Sequence, residues 1–192
     1  MARHRLRGVL LCEDVEHERF FRRLLERRWF GKGKLRIERI PDRRGAGDAF
    51  VLKRFVRELK FARSKRQENY ALVVAIDGDR HKLKGRMQQL DEEVEKARLA
   101  TRTKDEKVTI FVPTWSVETW ELWLCGDRTV DEDRDFEKRF RTWTRQGKAS
   151  AKQAVEAWFQ LSSSHPSNDR GTEKDRLPSL AAGREEVRRL DG

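Results

Sequence analysis

Short apolar runs alternate with amphipathic stretches along the first 112 residues, and this alternation restricts the fold more than any other feature. "GVLLC" (8–12) and "YALVVAI" (70–76) are continuous apolar segments, as strands covered on both faces would be. Between them "VEHERFFRRLLERRW" sets Phe20, Phe21, Leu24 and Leu25 on one helical stripe. "LRIERI" reads as a second strand and "DAFVLKRFVRELKFA" as a second helix, with Val51, Leu52, Phe55, Val56 and Leu59 recurring on one face. The polar helix "KGRMQQLDEEVEKARLA" then leads into a fourth strand, "KVTIFV". Strand, helix, strand, helix implies an α/β sandwich with a mostly parallel central sheet of about four strands.

After Pro113 the pattern turns helical, with Ser116 before "VETWELWL" and Ser150 before "AKQAVEAWFQL" as N-caps. Residues 162–178 are Ser-rich and charged, which reads as a surface linker or disordered loop. "SLAAGREEVRRL" is expected as a last short helix docking on the domain. The expected organisation is an α/β domain over 1–161 with additional C-terminal helices, and a polar linker with a short helix over 162–192. No internal repeat is visible.

Charge narrows the partners. Forty-four Lys and Arg against 33 Asp and Glu give a net charge of +11, which favours a polyanion, nucleic acid first, over a small neutral substrate. No apolar run reaches the length of a membrane span, and "MARHRLRGVLLCED" meets carboxylates too early for a secretory signal, so a cytoplasmic protein without membrane contact is expected. Cys12 and Cys125 are too few for a disulfide framework or zinc module, and His4, His17, His81 and His165 show no ligand spacing with them.

Acidic residues nevertheless gather where ligands bind in open α/β sheets, beyond the carboxyl ends of the strands. Glu13 closes the first strand, Asp77 and Asp79 close the third, and Glu118 follows the fourth. Any one of these alone reads as a cap or turn residue. Together they form a set of hard oxygen donors suited to Mg²⁺ or Mn²⁺.

Those residues carry a resemblance. "LLCEDVEHERFFRRLL" resembles the first TOPRIM motif, "VVAIDGDRH" its D-x-D motif, and "VPTWSVETWELWL" the S-x-E-x-W segment of small TOPRIM-like proteins, including the RloB-like and OLD-type nuclease relatives of bacterial defence loci. "LPSL" is similar to a short Pro-Ser motif near the C-terminus of such proteins, and "RRGAGDAF" to a Gly-bearing loop. The resemblance implies a TOPRIM-like, Rossmann-like fold with Glu13, Asp77 and Asp79 as metal ligands and Glu118 as a further ligand or acid. Two departures stand out: Asp14 replaces the usual Gly, and the second acid of the first motif is either Glu16 or Glu18.

Within that family the sequence selects a reaction. Tyr70, the sole tyrosine, lies at the strand end opposite the carboxylates, which disfavours a topoisomerase, and two distant cysteines cannot build a primase zinc module. Metal-dependent phosphodiester hydrolysis remains, with Glu13 as ligand or general base. Arg80, Lys82, Lys84 and Arg86, with Arg43 and Arg44, are expected to contact phosphates of DNA or RNA. Trp120 and Trp123 are read as core. No G-x-x-x-x-G-K-[ST] occurs, so an accompanying ATPase would be a separate chain. The competing reading is an inactive TOPRIM-like binding or scaffold protein.

Overall fold

The computed structural model describes residues 5–40, 47–163 and 177–191. The strands β1 (Leu6–Cys12), β2 (Phe30–Arg39), β3 (Tyr70–Ala75) and β4 (Val108–Phe111) form one sheet in the order β2-β1-β3-β4, with every neighbouring pair parallel. Parallel neighbours need long crossovers. Helices supply them: α1 (Val15–Arg28), α2 (Gly47–Ser64) and α3 (Lys82–Lys96) follow the first three strands in turn.

The chain leaves β1 for β2 on one side and then crosses back past β1 to β3, so α1 covers one face of the sheet while α2 and α3 cover the other. Alternate strand residues record this split. Leu10, Cys12, Val73, Ala75 and Phe111 pack in the layer of Phe20, Phe21 and Leu24, whereas Val9, Leu11, Leu72, Val74 and Ile110 pack with Val51, Phe55, Leu59 and Leu90. Gly8 is required where β1 meets β3, since a Cβ there would stand 2.1 Å from the Ala71 carbonyl oxygen.

The later helices, α4 (Val117–Leu124), α5 (Glu137–Arg145), α6 (Ala151–Ser163) and α7 (Pro178–Glu186), complete the chain. Trp120 and Trp158 join Phe20, Phe21 and Phe111 in an aromatic cluster, with Phe21 stacked on Phe111 at 4.7 Å between ring centroids. Trp120 and Trp123 are core residues, as expected. Ser150 caps α6, its Oγ accepting the Gln153 N–H at 3.3 Å. Ser116 takes the N-cap position of α4 without a side-chain capping bond.

The final helix docks as expected, and the Pro-Ser segment explains how. Ser179 Oγ accepts from Trp120 Nε1 at 2.8 Å and from the Thr114 N–H at 3.1 Å, while Glu132 accepts the Ser179 N–H at 2.8 Å and the Thr114 hydroxyl at 2.8 Å. Gly183 lets the helix approach, because a Cβ there would come 2.5 Å from the Trp120 ring. The linker expected over 162–178 falls largely outside the described residues. Among the described residues no helix is long and apolar enough to cross a membrane.

Candidate functional site

The connection order reverses between β1 and β3, and a crevice opens at such a point beyond the strand ends. Glu13 leaves β1 there and Asp77 leaves β3. They meet: Glu13 Oε1 accepts the Asp77 N–H at 2.6 Å. Gly47, the first residue of α2, lies against the same carboxylate, where a Cβ would come 2.9 Å from Glu13 Oε2. A helix N-terminus is a favourable neighbour for negative charge.

Asp14 takes an extended conformation and caps α1, its Oδ1 accepting the N–H groups of Glu16 and His17, both at 3.0 Å. The same oxygen lies 3.0 Å from His17 Nδ1, and His17 Nε2 lies 3.0 Å from Asp77 Oδ1. His17 is thus bracketed by two carboxylates while only 1 % exposed. The two acids anticipated beside it are both ion-paired: Glu16 with Arg19 at 2.5 Å, and Glu18 with Arg39 at 2.8 Å. Between them, His17 is the side chain that reaches the Asp77 carboxylate.

The turn after β3 holds Asp79 in a left-handed conformation (φ 44°), and Lys82 (φ 56°) and Trp115 (φ 66°) share that uncommon backbone region close by. Non-glycine residues held this way concentrate at functional sites. The Gly78 N–H donates to the Pro113 carbonyl at 2.7 Å, tying the turn after β3 to the loop after β4. That second loop leads into α4, whose eight residues are all buried, Glu118 and Glu121 included.

The electrostatics of this edge are unusual. Burial, and then the charge of Asp77, push the Glu13 carboxyl up to about 8 despite opposition from His17 and the Asp77 N–H. Asp77 is also raised by burial, with His17 opposing. Burial and the Asp77 charge lift Glu118 to about 7. Glu121 lies well above the usual carboxylate range through burial and the charge of Glu118, and its Oε2 has no hydrogen-bond partner among the described residues. Burial alone would lower His17, but Asp77 and Asp14 outweigh it and hold the imidazole well above its ordinary value. Burial likewise would raise Asp14, yet the His17 ring and the two backbone donors bring it down to about 2.

The edge therefore gathers buried carboxyl groups that burial and mutual repulsion hold toward their protonated forms, with His17 and Arg86 the cations beside them. Carboxylates in that condition are chemically suited to a hard divalent cation, and Glu13, Asp77 and Asp79 are the residues that would hold one. Among the described residues, however, no group of three or more His, Cys, Asp or Glu side chains is already arranged as a metal site.

The basic residues divide. Arg80, Lys82 and Lys84 are exposed at the start of α3, with no ion pair among the described residues. Arg86, anticipated as a phosphate contact, is instead 1 % exposed and bonded to protein acceptors. Arg43 and Arg44 lie outside the described residues.

His17 and Glu121 are the site residues missed by sequence reasoning. For His17 the signal was present: an Asp N-cap with a polar side chain three residues on is a reciprocal capping pattern. Glu121 gave none, because an acid between Trp120 and Leu122 resembles the wet side of an amphipathic helix. Comparison with known proteins finds no matching family model, no matching curated protein and no matching solved structure.

Proposed function

We propose that the chain is a divalent-metal-dependent nuclease with a TOPRIM-like arrangement of acids. The observation that carries this reading is the meeting of Glu13 and Asp77 at the crossover point, joined at 2.6 Å, beside Asp79 and a raised Glu118. A divalent cation bound by Glu13, Asp77 and Asp79 would polarise a phosphoryl oxygen and acidify a water. The chain's own groups do the rest. Arg80, Lys82 and Lys84 hold flanking phosphates at the rim. Glu118, titrating near neutrality, can pass a proton at working pH. Asp14 keeps His17 oriented toward Asp77.

Polynucleotide is the proposed substrate because the net charge of +11 resides in a chain whose exposed cations border this edge. A cytoplasmic setting in a defence system, beside a separately encoded ATPase, fits the same reading. A second reading, an inactive nucleic-acid-binding scaffold, is favoured by one specific observation: His17 already stands on Asp77 and Arg86 on Asp79. Incubation of wild type and Asp77→Ala with Mg²⁺ or Mn²⁺ and a panel of plasmid, single-stranded DNA and tRNA separates them. Cleavage by wild type alone supports the nuclease; binding without cleavage by both supports the scaffold.

A further inference from the structure

Arg86 lies one helical turn beyond Lys82, yet it points inward and is almost completely enclosed, at 1 % exposure. A guanidinium in such a place must have its N–H groups satisfied by protein acceptors. They are. Nε donates to the Asp77 main-chain carbonyl at 2.8 Å, Nη1 to Asp48 Oδ2 at 3.2 Å and Gln89 Oε1 at 2.9 Å, and Nη2 to Asp79 Oδ2 at 3.2 Å. One side chain thereby joins the turn after β3 to the first turn of α2 and to α3.

We infer that Arg86 is a positioning residue for the acidic edge, holding the Asp77-Gly78-Asp79 turn in register from inside the protein. Two features of that turn need such a restraint. Asp79 and Lys82 both hold a positive φ, 44° and 56°, that other conformations would relieve. Asp77 and Asp79 also carry like charge at close range, Asp79 being one of the groups that raise Asp77. Arg86 opposes both effects, gripping the main chain at Asp77 and neutralising Asp79. It engages Asp79 through Oδ2 alone, and Oδ1 has no partner among the described residues. One oxygen is thus anchored, on a side chain that remains 52 % exposed. A lysine could supply the charge but not the planar fork that reaches four acceptors.

The consequence for catalysis rests on the nuclease reading, whereas the restraint on the turn does not, and the test keeps the two apart. Arg86→Lys is compared with wild type by amide hydrogen exchange over residues 77–82 in metal-free protein, by calorimetric Mn²⁺ titration, and by cleavage kinetics. The expected result is exchange about tenfold faster or more in the turn with the rest of the sheet unchanged. Mn²⁺ affinity should weaken by about 10–100-fold, as when groups supporting ligands are altered. The turnover number should fall while the KM for polynucleotide holds. Unchanged exchange and Mn²⁺ affinity, with a raised KM and a shallower salt dependence, would make Arg86 a phosphate contact and overturn the inference. If wild type binds no Mn²⁺, the nuclease reading fails while the exchange comparison still decides the positioning role. Should Arg86→Lys fail to fold, Asp48→Asn removes one acceptor's charge and must loosen the same turn more weakly; no loosening there refutes the proposal.

Discussion

The two ends of the one sheet handle charge in opposite ways. At the amino ends of β3 and β4 the neighbouring acids have matching bases: Arg63 reaches Glu106 with two hydrogen bonds at 2.8 and 3.0 Å, Arg66 pairs with Asp105, and Lys65 with Glu68 at 2.7 Å. Burial would raise Glu106, but Arg63 outweighs it and the carboxyl lies below its ordinary value. At the carboxyl ends Glu13, Asp77, Glu118 and Glu121 are all raised. One end is built for stability. The other holds buried carboxyl groups that are costly to ionise, which a fold tolerates where a ligand or reaction uses them.

The largest expected effect separating the ends is in their response to pH. Glu13 and Glu118 retain protons to about 8 and about 7 in the fold but release them near 4.5 when unfolded. Over that interval the native state binds more protons than the unfolded state, so stability falls as pH rises. His17 acts in the same direction, its stabilising charge complete below 6.5 and lost as pH climbs through its higher folded value. Glu106 contributes nothing to this slope above 4.5 because its folded value is lowered. From pH 5 to 8 the stability read from thermal melts should therefore fall by on the order of 6 kcal/mol, and Glu13→Gln should flatten the curve. A melting temperature that rises across this range would remove the electrostatic contrast.

Substitutions should then differ in sign. Arg63→Ala leaves Glu106, 12 % exposed, without its partner and should cost about 2 kcal/mol in urea unfolding. Glu121→Gln replaces a buried acid, costly to ionise and without a hydrogen-bond partner on Oε2 among the described residues, by a permanently neutral group, and should stabilise by about 1 kcal/mol at alkaline pH, or about 3 °C in melting temperature. If Glu121→Gln destabilises as much as Arg63→Ala, the acid is structural and the two ends are alike.

The same contrast explains what could be read from sequence. Strand cores such as "LVVA" and the stripe of Phe20, Phe21, Leu24 and Leu25 follow from burial alone, a local property, and the all-parallel sheet follows from their alternation. β2 begins earlier than "LRIERI" because the pairing with β1 skips from Leu6–Phe30 to Gly8–Leu35, and "GKGK" between them carries no strand pattern. Helix α5 was missed, since Phe140 is its one buried residue in a charged stretch. At the site, Glu13, Asp77 and Asp79 were legible because strand ends are predictable positions. The inward turn of Arg86 and the reach of His17 to Asp77 depend on partners far away in the chain, 38 residues to Asp48 in one case. Local pattern holds no record of such pairs.

Smaller effects belong to the basic rim. Lys82→Ala with Lys84→Ala should lower the slope of log affinity against log salt by roughly 1 to 2 for a polynucleotide, leaving melting unchanged. An unaltered slope would place substrate capture elsewhere.

The central claim is that the acids at the carboxyl ends of the sheet carry metal-dependent cleavage. Its most direct test is cleavage of a polynucleotide by wild type and Asp77→Ala under saturating substrate with Mg²⁺ or Mn²⁺, alongside filter binding. The account predicts wild-type cleavage that requires the metal, a loss of about a hundredfold or more in Asp77→Ala, and binding by the variant that is equal or tighter because a negative charge beside the polyanion has gone. A folded Asp77→Ala protein that cleaves as fast as wild type would contradict it.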